Sequence, residues 1–597
     1  MNIMQQVIAL INAQHYSKAE VILSRLLDSG NDKSGLFHRL RASCFYGLKD
    51  YSGAIKELSK AVELGMTDGE VFLNLARAKL NLNHVQASFS YCLQSLECND
   101  KYYSHTIYFI YSKLLQRIDT KRLSEITPLL IDHNVINDKH INALVNIYIA
   151  LNKFRLAEIV FKTITDSNTS QVILTEAILL RKKGNPDAAI ARLTSIGDWK
   201  TNYAVCHQVG NCLSDKGCLE DACNHYLLAT KLNDQYHHSH YNYADLMFQL
   251  GFSEGMFETY LSLASTKRFT EQSLYDFLNY LLRINKFDDV LHYLETFGDI
   301  LIVSSRLYLQ SEAYRLANRY EEALDCVREI NLVELTNDER CQLSQFLLSR
   351  DECTLASLYI STTLNNDSEN QWAIALKLLL DDLGENAIAA SSSYEGYIYQ
   401  SFISPPDSFA TLKDYFIALT AELTSMHSSQ VSPINQTVHG GTQTQANLFQ
   451  NPNYLIQHLK SEFERAIREM LQGVKGKKLL YDGFIIDGRL DNTGSWSVNI
   501  KSEGYHNDHI HPMGQLSTVC YIHLPPSISK TNGGIRFGQP PFRYLSDTKA
   551  YEIEPVVGRI LVFPSCFWHG TNPYKGEGSR LTVAADFTVV NEISTRE

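Results

Sequence analysis

His509-Ile510-His511-Pro512, followed closely by Ser517-Thr518-Val519-Cys520-Tyr521-Ile522, lies among short segments rich in β-branched and aromatic residues. Side chains alternate between the two faces of a strand, so His509 and His511 can project into one cavity. His569, in Phe567-Trp568-His569, comes 58 residues after His511, and Arg580 in Arg580-Leu581-Thr582 comes 11 residues after that. Imidazole is a common ligand for first-row metals, and three ligands on one face leave coordination positions open. A planar guanidinium suits bidentate grip on a carboxylate, and Thr582 shares the strand face of Arg580. The pattern predicts a metal beside an anchor for a dicarboxylate. In a chain with 20 histidines one His-x-His pair carries little weight, and an isolated arginine is more often a surface ion-pair residue. The weight lies in the ordered set.

Outward from this motif, segments 479–486, 496–501, 506–511, 517–524, 534–537, 550–553, 560–563 and 580–590 read as strands, separated by Gly, Pro, Asn and Ser. Eight such strands suit a double-stranded β-helix, a jelly-roll variant whose mouth gathers residues from different strands. Helical spacing of Phe409, Leu412, Phe416, Leu419 and Leu423 predicts a helix over 408–426. A second helix is predicted over 453–471, with 431–451 as an extended loop.

These residues resemble the 2-oxoglutarate and Fe(II)-dependent oxygenases found fused to tetratricopeptide repeats. The resemblance covers roughly the last 200 residues. It is carried by Gly440-Gly441-Thr442-Gln443-Thr444, Trp496-Ser497-Val498-Asn499, His509-x-His511-Pro512, Ser517 to Ile522, Pro564-Ser565-x-x-x-His569 and Arg580-x-Thr582. It implies Fe(II), 2-oxoglutarate and dioxygen as cofactor and co-substrates, His509 and His569 as ligands, and Arg580 as the co-substrate anchor. Thr582, Tyr521 and Ser517 are implied as further co-substrate contacts. Hydroxylation is the implied reaction.

The third ligand departs from the wider superfamily, which places a carboxylate two residues after the first histidine; here that position is His511. His506-Asn507-Asp508 offers a literal His-x-Asp three residues earlier. From a regular strand the two pairs face opposite ways, so either His511 or Asp508 completes the set. The first is favoured because Pro512 and the following strand fit the fused family. The aspartyl/asparaginyl β-hydroxylase type, which also joins helical repeats to a barrel, lacks the carboxylate ligand as well. Two other classes compete: a repeat scaffold with a degenerate barrel, and a cupin-type three-histidine metal enzyme that needs no Arg580.

Before residue 380 the chain repeats itself. Tyr51-x-x-Ala54 recurs as Tyr16-x-x-Ala19, Phe154-x-x-Ala157 and Tyr320-x-x-Ala323, and more weakly as Phe287-x-x-Val290. Ala42 and Ala76, like Gly210 and Ala244, are 34 apart, while Ala54 to Ala87 and Ala189 to Ala222 span 33. A period of 34 with helix, turn and helix is the tetratricopeptide signature. Small residues let helices approach; most such positions are core, and the stacked units expose a concave surface for a peptide or protein partner.

The fold class expected is therefore a multidomain α + β chain. An all-α tetratricopeptide-type solenoid fills 1–380, a linker 381–406, and a double-stranded β-helix with flanking helices 407–597. At 597 residues and 44% hydrophobic the chain can bury such cores. A formal net charge of -12 gives no footprint for nucleic acid. No signal peptide and no 18-residue apolar run predict a cytoplasmic protein that does not enter a membrane. Twelve scattered cysteines, including Cys206, Cys212, Cys218 and Cys223, read as reduced thiols, not a zinc site.

Overall fold

The computed structural model describes residues 3–590 apart from 29–34, 83, 116–117, 119, 131–136, 167, 253–254, 383–393, 395, 428–436, 445–446, 475–483 and 543–549. It divides into two compact units, Met1–Lys182 and Lys183–Glu597. The first is helical, with pairs such as Leu36–Gly47 and Tyr51–Glu63, then Gly69–Asn81 and Val85–Glu97. Tyr103–Phe109 is a short helix that runs into a π-helical turn at Ile110–Leu114.

The aromatic-x-x-small motif opens the second helix of five pairs. Tyr16, Tyr51, Phe154, Phe287 and Tyr320 are each the first residue of a helix, and Ala19, Ala54, Ala157, Val290 and Ala323 are fully buried. One spacing needs correction. Ala87 is only half-buried, and the residue packed in its place is Ser88, 34 residues after Ala54, whose hydroxyl donates to the Ala76 carbonyl at 2.8 Å. A further signature lies in the turns: Gln14, Lys49, Asn152, Gly184, Gly217, Asn285, Asn318 and Asp351 all have positive φ. Each stands two residues before the next helix, the left-handed position that closes a helix C-terminus and re-aims the chain.

The second unit holds helices from Pro186–Thr194 to Gln371–Asp382 and then the barrel. Its strands are β1 (Tyr399–Phe402), β2 (Val438–Gln443), β3 (Arg489–His506), β4 (Leu516–His523), β5 (Ile535–Phe537), β6 (Tyr551–Ile553), β7 (Arg559–Pro564), β8 (His569–Thr571) and β9 (Arg580–Val590). They form an antiparallel six-stranded sheet, order β1-β7-β4-β9-β3-β2, and a three-stranded sheet, order β6-β5-β8. On the outer face, Leu581, Val583, Ala585, Phe587 and Val589 of β9 pack with the helices Leu412–Ser425 and Tyr454–Val474. The intervening residues of β9 face inward.

The division differs from the expected one. A single apolar core runs from Ala244, through Phe277, Leu347 and Leu376, to Ile510, Tyr521, Phe563 and Trp568, so the helices from His237–Gln249 onward share an interior with the barrel. Part of the expected linker is sheet: β1 pairs with β7, Tyr399 opposite Val562. The Ala389-Ala390-Ser391-Ser392-Ser393 stretch lies outside the described residues, as do 479–483 of the expected first strand. The expected 496–501 strand is the middle of the longer β3, the expected 431–451 loop contains β2, and 506–511 is not a strand, because the chain leaves the sheet after His506.

Candidate metal centre

Two backbone hydrogen bonds of 2.9 Å, exchanged between His509 and His569, bring the distant segments together at the edge of the small sheet. His511 enters beside them, its own N–H donating to the Ser565 carbonyl. Ring centroids stand 4.3 Å apart for His509 and His569, 4.9 Å for His511 and His569, and 5.0 Å for His509 and His511. One potential ligand atom from each lies within 4.8 Å of the others, the sole such group of His, Cys, Asp and Glu among the described residues.

Every ring is oriented through Nδ1. His509 Nδ1 bonds to the Asn507 carbonyl at 2.7 Å, His569 Nδ1 to the Phe567 carbonyl at 2.9 Å, and His511 Nδ1 to Asp586 Oδ1 at 2.6 Å. The proton therefore sits on Nδ1 and the Nε2 lone pairs are left for an ion, the outer-shell arrangement that fixes metal-binding histidines. His509 Nε2 and His511 Nε2 are 3.0 Å apart. Two nitrogen ligands about 2.1 Å from one ion and at a right angle to each other lie about 3.0 Å apart, so the pair fits one face of an octahedron. Burial and the adjacent His511 ring push His509 down to about 3, and burial with the neighbouring imidazoles holds His569 well below the usual histidine range, so both rings are neutral.

Asp508 does not join them. Its carboxylate accepts from Arg536 Nη2 at 2.7 Å and Nε at 3.1 Å, and Arg536 also holds the Thr571 carbonyl of β8. The premise of opposite faces fails with the strand: β3 ends at His506, and the chain beyond it turns so that His506, like His509 and His511, stands in the cavity wall, its ring 5.9 Å from that of His509. Gly570 lets Asp508 pass, since a Cβ there would stand 2.5 Å from Asp508 Oδ1 and 3.0 Å from the His506 carbonyl.

The cavity, about 310 Å³, is walled by Arg580, Thr582, Ala584 and Asp586, every second residue of β9, and by Gln443, Trp496, Val498, Thr518 and Phe563. Arg580 is buried, its guanidinium carbon 5.4 Å from the Tyr521 ring centroid. Arg580 Nε and the Tyr521 hydroxyl, both buried, have no hydrogen-bond partner among the described residues. Unsatisfied donors beside an arginine are chemically suited to a bound carboxylate. Burial lowers the Arg580 pKa and raises that of Tyr521, each offset in part by the other. Tyr521 supports Arg580 from behind, outside the cavity lining. Ser517, expected at the co-substrate, is also outside it: its hydroxyl bonds Asp586 Oδ1 at 2.8 Å and Ser565 Oγ at 2.9 Å.

Sequence reading missed Asp586 and Arg536, and it weighed His506 only as the partner of Asp508. Asp586 was within reach, because the alternation that pairs Arg580 with Thr582 continues through Ala584 to Asp586. Arg536 carried no such signal.

Residues 494–586 match the sequence model of the family described as "Putative 2OG-Fe(II) oxygenase". That span contains His509, His511, His569, Arg580 and Asp586. Solved structures similar to the chain include a Pseudomonas putida prolyl-4-hydroxylase, with 15% identity and a TM-score of 0.24, over 36% of this chain and 100% of that one. Two others are the APC/C hetero-tetramer Cut9-Hcn1 (13%, TM-score 0.29, 63% and 82%) and Naa15/Naa10 bound to HypK-THB (12%, TM-score 0.24, 64% and 65%). No curated protein sequence matches. Among the described residues no helix is long and apolar enough to cross a membrane. None of the twelve cysteines forms a disulfide.

Proposed function

We propose that the chain is a 2-oxoglutarate and Fe(II)-dependent dioxygenase that hydroxylates a side chain of a protein or peptide recruited by its helical repeats. The observation that carries this reading is the convergence of three Nε2 atoms, each Nδ1 already engaged, beside a buried arginine with an unpartnered Nε. His509, His511 and His569 would hold Fe(II), and Arg580 with Thr582 would grip the far carboxylate of 2-oxoglutarate. When bound, the iron and co-substrate supply the oxidising chemistry, coupling decarboxylation to succinate and carbon dioxide with hydroxylation by dioxygen.

The protein's share is placement. The carbonyls of Asn507 and Phe567 and the Asp586 carboxylate keep the three Nδ1–H groups turned outward, so the imidazoles need no reorganisation to receive an ion. Trp496, Val498, Ile510 and Phe563 give the cavity an apolar wall that strengthens the pairing of Arg580 with a carboxylate. The repeats offer the surface that would bring a polypeptide to the mouth.

The test is anaerobic. Protein loaded with Fe(II) is expected to develop a weak visible charge-transfer band on adding 2-oxoglutarate, and Arg580→Ala to weaken that binding by about 10–100-fold, the loss of a buried charge-assisted pair. Bound Fe(II) without a band would favour the cupin-type reading, and no metal binding would favour the scaffold.

A further inference from the structure

The three ring nitrogens are not held alike. His509 and His569 bond to neutral backbone carbonyls, whereas His511 bonds to the buried carboxylate of Asp586. We infer that Asp586 is a positioning residue that supplies, through His511, the negative charge that three neutral imidazoles lack; this rests on the metal reading above.

The charge balance of the cavity supports the inference. Among the described residues that line it, the permanently charged or carboxylate ones are Arg580 and Asp586. A divalent ion and Arg580 together bring three positive charges, and doubly ionised 2-oxoglutarate brings two negative ones. In a buried site an uncompensated charge is costly, and Asp586 is the anion that closes the balance. Asp508, the other carboxylate near the histidines, is already neutralised by Arg536. An imidazole whose N–H donates to a carboxylate is also a stronger metal ligand than one donating to an amide carbonyl.

The corner is built to hold that carboxylate. Asp586 Oδ1 accepts from both His511 Nδ1 and Ser517 Oγ, and Ser517 is tied to Ser565, whose carbonyl receives the His511 N–H. Gly514 closes against it: a Cβ there would stand 2.9 Å from Asp586 Cβ and 3.0 Å from Ser565 Oγ. These contacts fix the ring of His511 from both ends.

The test uses the full chain and Co(II), whose visible bands report the ligand field. Asp586→Asn keeps the size and an acceptor oxygen but removes the charge. It is expected to weaken Co(II) affinity by about 10–100-fold and to shift the bands, with the metal-free melting profile retained. A role in shape alone would leave Asp586→Asn like the wild type and only Asp586→Ala impaired. Asp586→Asn within twofold of wild-type affinity, with an unshifted spectrum, overturns the inference while the metal reading stands; a wild-type chain that binds no Co(II) overturns both. A measurement without any variant serves as well. In the Zn(II)-loaded, histidine-labelled wild type the His511 Nδ1–H resonance is expected downfield of those of His509 and His569, and three equal shifts would reject the carboxylate's influence.

Discussion

Replacing His511 separates the two candidates for the third ligand. His511→Ala is expected to abolish tight Fe(II) binding, whereas Asp508→Asn, which breaks the pair with Arg536, is expected to leave metal affinity within about threefold and lower the unfolding free energy by about 1–3 kcal/mol in urea titrations. Loss of metal with Asp508→Asn and its retention with His511→Ala would reverse the assignment. The histidines also set a pH dependence. Burial holds His509 down to about 3 against an ordinary 6.5, and His506 and His569 are likewise lowered. Below 6.5 the unfolded chain takes up protons that the folded rings refuse, so stability of the metal-free protein falls as pH drops from 6.5 towards 3. Denaturation midpoints at about pH 7.5 and 4.5 check this, and His509→Asn should flatten the slope. At this scale His509, His511, His569, Arg580 and Thr582 were legible as a set in the sequence. Asp508 was ambiguous there because whether it faced the cavity depended on where β3 ends.

Strand β9 makes the period of two measurable. Ala584 faces the cavity between Thr582 and Asp586, while Ala585, fully buried, faces the helical layer. Ala584→Leu is expected to fill part of the cavity and, on the proposed function, to weaken 2-oxoglutarate binding with little change in melting. Ala585→Leu is expected to overpack the outer core and cost about 1–3 kcal/mol with the cavity intact. Identical effects of the two substitutions would contradict the alternation. Runs of β-branched and aromatic residues made β4, β7 and β9 readable from sequence to within a residue or two, and helical spacing located the two flanking helices with ends off by up to four residues. β8, three residues long, and β2, rich in Gly, Thr and Gln, lacked such a pattern and exist because partner strands satisfy their backbone groups.

In the molecule's second unit one apolar core joins the later helices to the barrel. Phe567 stacks edge-on against Tyr394 at 4.7 Å, and with Trp568 it belongs to the core that continues into helices such as Asn337–Ser349 and Gln371–Asp382. A fragment beginning at residue 407 would expose this wall, so it is expected to aggregate or melt well below a fragment beginning at 183. A soluble, equally stable 407–597 fragment would argue that the barrel is independent. Phe567→Ala is expected to cost about 3–5 kcal/mol and to be felt in the helical and the barrel signals of the same transition.

The sequence alone determined the period of the repeats, several of the barrel strands and the order of the histidines and arginine, because these are written in local spacing: 34 residues for a helix pair, two for a strand face. Tertiary structure alone decided which histidines meet, that Asp508 goes to Arg536, that Asp586 stands behind His511, and that the helices from His237–Gln249 onward share the barrel's core. Those outcomes depend on where strands end and what packs on them, and contacts between residues far apart in the chain leave no mark on its local pattern.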